Sequence, residues 1–378
     1  MIPKTEAELA EMIATADVPL AICGGGTRGC SVDGTPLSVS GLSGIELYEP
    51  GALTIVAKAG TRMSEIEAAL EKENQRLPFE PMDHRALLGT DGEPTIGGVI
   101  AANVSGPRRI QSGAARDYML GVRFVDGAGT ILKNGGRVMK NVTGYDLVKL
   151  MTGSYGTLGV ISEVALKVLP RTDVAACIML DGLSDADAVR AMSDALGSPF
   201  EVSGAAHLPR GPENKPVTMI RIEGFEGSVK YRSGKLVDML SGYGATRVEA
   251  DPEKTTAMWA EIRDVAPFHG VDGDVWRISC TPSDGPRLSA ALSATDTLLD
   301  WGGGLIWALT PEGTDARARL GAYDGHATLV RASAETKARL GPFQTQPAPI
   351  EAITAGLRAK FDPKNILNTG LMQPRQEG

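Results

Sequence analysis

Four short stretches in the first 161 residues set glycines beside hydroxyl side chains, and they constrain this chain more than any other feature. They are Gly24-Gly25-Gly26-Thr27, Thr95-Ile96-Gly97-Gly98, the pair Ser105-Gly106 and Ser112-Gly113, and the run from Gly153 to Ile161. Residues this small let the backbone approach a flat ring or a phosphate, and successive glycine N–H groups in a tight turn form an anion nest. Gly24, Gly26 and Gly29 also satisfy GxGxxG, the dinucleotide fingerprint. That motif needs a helix opening directly from the loop. Here Cys30 to Pro36 follows, with Gly34 and Pro36, which excludes such a helix. Taken alone, the first loop reads equally well as a strand-to-strand turn or as a phosphate nest. Four loops in one half of the chain exceed what turns alone require. Arg108, Arg109 and Arg116 add cations to the third.

Composition narrows the partners. Of 378 residues, 38 are basic and 46 acidic, a net charge of −8. An acidic surface repels phosphate backbones, so nucleic acid is not an expected partner. Cys23, Cys30, Cys177 and Cys280 form no CxxC pair, and the four histidines (His84, His207, His269 and His326) are isolated, so no metal site is expected. The thiols are expected to be reduced and buried. The N-terminus lacks a secretory pattern, and no apolar run reaches the roughly 18 residues that span a bilayer. A cytoplasmic protein without a membrane span is the expectation.

Hydrophobic periodicity divides the chain. Thr5 and Glu8 have capping-box spacing ahead of a helix with Leu9, Met12 and Ile13 on one face. Strands are expected at 20–23, 37–40, 53–58, 119–126, 130–133 and 158–168, and a second helix is expected to be capped by Ser64. From 171 the texture becomes helix 185–196, strand 217–223, helix 228–240, strand 271–280, helix 289–292 and strand 304–310. Such alternation suits an antiparallel sheet covered by helices. A loop at 341–349 leads to helix 350–360 and a final turn. The fold class is α+β, with residues 1–170, 171–340 and 341–378 as three units.

The order of these loops resembles the FAD-binding domain of the vanillyl-alcohol oxidase and p-cresol methylhydroxylase (PCMH-type) superfamily. Ile22 to Thr27 matches the first pyrophosphate loop, Thr95 to Gly98 the second, and Gly156 to Ile161 the closing segment. The tail from Phe361 to Gly370 is similar to that family's C-terminal return to the flavin domain. Leu77 to Pro81, Ser105 to Arg109 and Gly136 to Leu147 narrow the likeness to the FAD-binding subunit of bacterial glycolate oxidase.

The resemblance implies FAD lying between two subdomains, its isoalloxazine facing a cap. It implies pyrophosphate contacts from Gly24, Gly25, Gly26, Thr27, Thr95, Gly97 and Gly98. Ser105, Ser112, Gly113 and Arg116 would line the cofactor. Gly156, Gly159 and Ile161 would lie near the adenosine end, and Asn368 near the flavin. Some members attach flavin through a histidine in the first loop; Thr27 stands there instead, so the FAD is expected to be non-covalent. Related 2-hydroxy-acid dehydrogenases carry a histidine-containing metal motif in the cap, and Gly302 to Trp307 has neither histidine nor acid. No catalytic base is assigned. The leading expectation is a subunit of a multisubunit glycolate dehydrogenase, working with a sister flavoprotein and an iron–sulfur subunit, peripheral on the inner membrane face through them. The runner-up is a self-sufficient FAD dehydrogenase for a small 2-hydroxy acid, and the third an assembly protein in which FAD is structural.

Overall fold

The computed structural model describes residues 1–29, 32–137 and 144–372. Two antiparallel sheets organise it. The first has five strands in the order Ile45–Glu49, Thr54–Lys58, Val160–Lys167, Met119–Val125 and Ile131–Gly135. The helices Glu6–Thr15, Met63–Lys72 and Ile96–Ala101 bury Leu9, Ile13, Ile66, Leu70 and Ile100 in a common core with Ile55, Phe124 and Val164. Beside this core Leu20–Cys23 pairs in parallel with Thr35–Ser38. The paired strands are joined by residues 24–34, the stretch that carries the first glycine loop.

The second sheet has eight strands. Its order is Thr246–Glu249, Val174–Asp181, Val217–Gly224, Val202–Leu208, Asp296–Asp300, Leu305–Thr310, Asp274–Cys280 and Gly325–Arg331. Alternation along each strand separates its faces. Ile178, Ile220, Trp276 and Ile306 point toward the helices Asp185–Gly197, Glu226–Leu240 and Gly285–Leu292. Met179, Met219, Val275 and Trp307 point the other way and pack with Met82, Leu87 and Val104, which come from the first half of the chain. This second face therefore packs against the first half of the chain. The C-terminal helix Ala348–Phe361 sets Phe361 6.2 Å from Phe124, and Leu367 bridges to Leu20.

Local details depart from expectation. The second helix starts at Met63 with Arg62 as its cap and no side-chain cap bond, so Ser64 sits inside the first turn. The Met63 N–H donates instead to the Pro94 carbonyl, which turns the chain into the helix. The expected strand at 37–40 ends at Ser38, whose hydroxyl accepts from the Ser40 N–H and starts a short 3-10 turn. Strands Val202–Leu208, Asp296–Asp300 and Gly325–Arg331 had no sequence signal, being poor in β-branched residues. Val202–Leu208 and Asp296–Asp300 are held extended by partners on both sides, and the edge strand Gly325–Arg331 by its pairing with Asp274–Cys280. Cys23 is exposed, not buried, because its strand ends at the loop rim. Cys30 and residues 138–143 of the block from Gly136 to Leu147 lie outside the described residues.

Candidate functional site

The first two glycine loops touch along their backbones. A Cβ at Gly25 would lie 1.6 Å from the Glu93 carbonyl oxygen, and one at Gly24 2.3 Å from the Thr95 hydroxyl. The Ser38 hydroxyl donates to the Gly24 carbonyl at 3.2 Å and the Thr90 hydroxyl to the Thr27 carbonyl at 3.2 Å. These bonds turn the carbonyls back into the protein. Among the described residues the N–H groups of Gly25, Gly26 and Thr27 donate to no acceptor. Gly26 has φ +72°, and nothing lies within 4 Å of where its Cβ would be. Successive N–H donors without an acceptor, open to space at Gly26, are the arrangement a diphosphate needs.

Arg28, which follows directly, reaches over the second loop. Its Nη1 lies 2.7 Å from where a Gly98 Cβ would stand. Thr95 caps the short helix Ile96–Ala101, accepting from the Gly98 N–H. Gly97 is different in kind. Its N–H donates to the Ala59 carbonyl, and a Cβ would sit 2.6 Å from the Ala59 methyl, so it packs helix against sheet.

The remaining candidates form two further groups. Asn103 gathers the third loop: the Ser105 hydroxyl donates to its carbonyl, and its Oδ1 accepts from the Arg116 N–H. Ser105 in turn accepts from the Ala115 N–H at 2.9 Å. Ser112 ends the short helix Arg109–Ser112, and Gly113 follows it at φ +93°. Asn368 joins the tail to both ends of the site. Its Oδ1 accepts from the Ile22 N–H at 2.7 Å and its Nδ2 donates to the Tyr155 carbonyl at 2.8 Å. A Cβ at Gly156 would lie 3.1 Å from that same Nδ2. Gly159 abuts Phe124, and the Ile161 side chain is buried, which leaves only main chain for a cofactor.

Opposite these loops stands the second face of the eight-stranded sheet. On one half, Arg221 grips Glu80 through two bonds of 3.0 Å each. Arg108 reaches both Glu80 and Glu223, and Arg76 pairs with Glu223 at 2.8 Å. Burial opposes these charges, yet the arginines hold the Glu223 carboxyl well below its usual range. Arg108, read from sequence as a cation for the site, is thus committed to pinning the two sheets together.

On the other half, among the described residues, the arginines form no ion pair with a carboxylate within 4.0 Å. Arg277 lies over the Trp301 ring at 5.0 Å, and Arg109 reaches the same ring at 4.7 Å. Burial lowers the Arg277 pKa to about 10. His84 stands near both Arg28 and Arg277, its Nδ1 buried without a partner. Burial and those two cations bring its pKa down to about 3, so it is neutral and can donate only one N–H. Asp300, two residues before the glycine run read as lacking an acid, is buried and pushed up to about 7 by that burial.

Sequence reasoning passed over Arg28, His84, Arg277 and Asp300. Arg28 had a signal, its adjacency to the first loop. His84, Arg277 and Asp300 had none, because each gains its meaning from elements distant in sequence.

Comparison with known proteins relates the chain to a family and a fold. Residues 1–135 match the family described as FAD binding domain. The chain is 36% identical over 359 residues to "Glycolate oxidase subunit GlcE" of Escherichia coli (strain K12), spanning 94% of this chain and 92% of that protein. It is 31% identical over 161 residues to "Glycolate oxidase subunit GlcD" of Bacillus subtilis (strain 168), covering 41% of this chain and 33% of that one. Among solved structures, an alkyldihydroxyacetonephosphate synthase aligns with a TM-score of 0.71 at 18% identity, over 98% of this chain and 77% of that chain. A 4-ethylphenol oxidase from Gulosibacter chungangensis aligns with 0.70 at 11% identity, over 99% and 89%. At such identities these structures speak for the PCMH-type α+β fold alone.

Proposed function

The chain belongs to the glycolate oxidase subunit GlcE family, and from that premise we propose that it is the FAD-binding subunit of a multisubunit glycolate dehydrogenase. It is an FAD-dependent oxidoreductase acting on a CH–OH group. The observation that carries the reading is the cradle of unfilled N–H donors at Gly25, Gly26 and Thr27, closed by Arg28 over Gly98. When bound, FAD takes the hydride equivalent as a hydroxyl carbon becomes a carbonyl. The residues of this chain hold and orient it. The glycine donors would hydrogen-bond the diphosphate and Arg28 would offset its charge; Thr95 and Gly98 would lie beside it on the helix that Gly97 packs against the sheet. Ser105, Ser112, Gly113 and Arg116 would line the cofactor, Gly156, Gly159 and Ile161 would offer main chain near the adenosine end, and Asn368 ties the tail to the strand entering the first loop. Residues 1–170 serve as the flavin unit, 171–340 as the cap and 341–378 as the return segment. The FAD is non-covalent, since Thr27 offers no ring nitrogen to the flavin.

Partners complete the reading: a sister flavoprotein that oxidises glycolate and an iron–sulfur subunit that passes electrons on. Among the described residues no helix is long and apolar enough to cross a membrane. The test is purification of the chain alone and with both partners, followed by acid release of flavin and dye reduction by glycolate. Yellow protein that loses FAD to acid and turns over only in the complex is the expected result. Robust turnover by the chain alone would replace it with the self-sufficient dehydrogenase.

A further inference from the structure

One edge of the eight-stranded sheet is the strand Gly325–Arg331, which pairs only with Asp274–Cys280. An open strand edge presents unpaired N–H and C=O groups, and residues 341–344 bond to this one. They do not make a ninth strand. The Leu329 N–H donates to the Pro342 carbonyl at 2.9 Å and the Ala327 N–H to Gln344 Oε1 at 3.0 Å. Nothing is returned: Pro342 has no N–H, and among the described residues those of Phe343, Gln344 and Thr345 donate to no acceptor. The start of this strap is nonetheless fixed. Arg317, stacked on Trp276 at 5.0 Å, donates to the carbonyls of Leu340, Gly341 and Pro342 at 2.8, 3.1 and 2.8 Å. It also donates to the Ala327 carbonyl at 3.0 Å, which ties that root to the strand. From Phe343 to Gln346 the described residues make one hydrogen bond outside the strap, that of Gln344.

Phe343 carries the strap to the glycine loops. Its ring meets that of Tyr155 edge-on, with centroids 4.8 Å apart and planes at 67°. Tyr155 is a fixed receiver. It stands at φ +53°, its N–H donates to the Ala101 carbonyl at 2.8 Å, and its carbonyl accepts from Asn368 Nδ2 at 2.8 Å. Gly156 of the closing glycine run follows it directly. The helix Ala334–Leu340, which leads into the strap, brings Lys337 Nζ to 3.4 Å from the Gly29 carbonyl, just past the first loop. We propose that residues 343–347 are a latch between the edge of the eight-stranded sheet and the glycine loops, hinged at the root that Arg317 holds, and that it opens to admit or release the cofactor. Opening gives up one hydrogen bond and one aromatic pair while the sheet and the root stay in place. That is the low-stability end of local unfolding, from which moving loops are drawn. The latch rests on the flavin reading for what passes it.

The test is amide hydrogen exchange on the full flavin-loaded chain, with flavin release on dilution followed by fluorescence on the same samples. In Phe343→Ala the Ala327 amide is expected to exchange at least tenfold faster and flavin to leave at least tenfold faster. The Leu329 amide, bonded to the fixed root, should keep its wild-type rate. Gln344→Ala removes the Ala327 acceptor without touching the core and should show the same pair of changes. Phe343→Leu should recover part of the loss, and Ile353→Ala, exposed on the helix that follows, should change neither rate. Wild-type flavin release in both Phe343→Ala and Gln344→Ala overturns the proposal. So do Ala327 and Leu329 amides that speed up together, because the root would then open with the latch. A wild-type chain that takes up no flavin sinks the flavin reading, and the latch then stands or falls on the two amides alone.

Discussion

Adjacent glycines in the second loop do unlike work, and single substitutions separate them. At Gly97 a methyl meets the Ala59 Cβ at 2.6 Å and its carbonyl oxygen at 2.7 Å, both part of the sheet. At Gly98 the obstacle is the tip of Arg28, at 2.7 Å, which can swing aside. Gly97→Ala is therefore expected to lower stability by about 1–3 kcal/mol through overpacking, read by urea denaturation. Gly98→Ala should leave the urea midpoint close to wild type yet weaken FAD at least tenfold, read by flavin titration of the stripped protein. Equal effects of the two on stability would show that Arg28 is as immovable as the sheet.

Asp300 gives the molecule a pH dependence of defined sign. Arg221, Glu80 and Arg277 face it, and burial dominates, raising its pKa from 3.8 to about 7. The folded state thus holds the proton more tightly than the unfolded one. Stability from this group is complete below pH 3.8 and is lost as pH rises toward 7. Between pH 5 and 8 the loss is on the order of 2 kcal/mol. Asp300→Asn keeps an oxygen for the Trp301 N–H and removes the titration. Denaturation curves at the two pH values should converge for the variant and diverge for wild type. A wild-type midpoint that rises from pH 5 to 8 with no change in the variant would contradict this account.

At the scale of elements, the decisive contact is between the turn carrying Glu80 and the strand Val217–Gly224. Leu77-Pro78-Phe79-Glu80-Pro81 carried a family likeness in sequence, and the structure supplies its physical role. Glu80 takes both Arg221 and Arg108, and its backbone carbonyl lies 2.2 Å from where a Gly106 Cβ would be, so only glycine fits there. Glu80→Gln would leave two buried guanidinium groups short of a counter-charge. A stability loss of about 3 kcal/mol is expected, since removing one partner of a buried pair costs more than the pair contributes. Limited proteolysis should then cut first between the two sheets. A wild-type urea midpoint in the variant would mean that water or Glu223 alone satisfies both arginines.

For the whole molecule the closure is one side chain. Asn368 connects residues 346 positions apart through its bond to Ile22, and binds Tyr155 on the other side. Asn368→Ala strands the Ile22 donor and the Tyr155 acceptor, a cost of about 1–3 kcal/mol. Faster flavin loss on dilution is expected, followed by fluorescence, with Asn368→Asp intermediate because it keeps the acceptor. Flavin release at the wild-type rate in Asn368→Ala would detach the tail from cofactor retention.

What the sequence determined by itself was local. The tight turn from Gly24 to Thr27 was legible because glycine acts through its own backbone. The helix at Glu6–Thr15, capped by Thr5, and the antiparallel character of the second half followed from spacing and periodicity. Tertiary structure alone decided the rest. Nothing near Arg108 or Arg277 in sequence distinguishes a guanidinium bound by two carboxylates from one left open on a tryptophan. That difference arises where strands from distant parts of the chain meet, since charge pairing depends on separations of a few ångströms and sequence order does not set them.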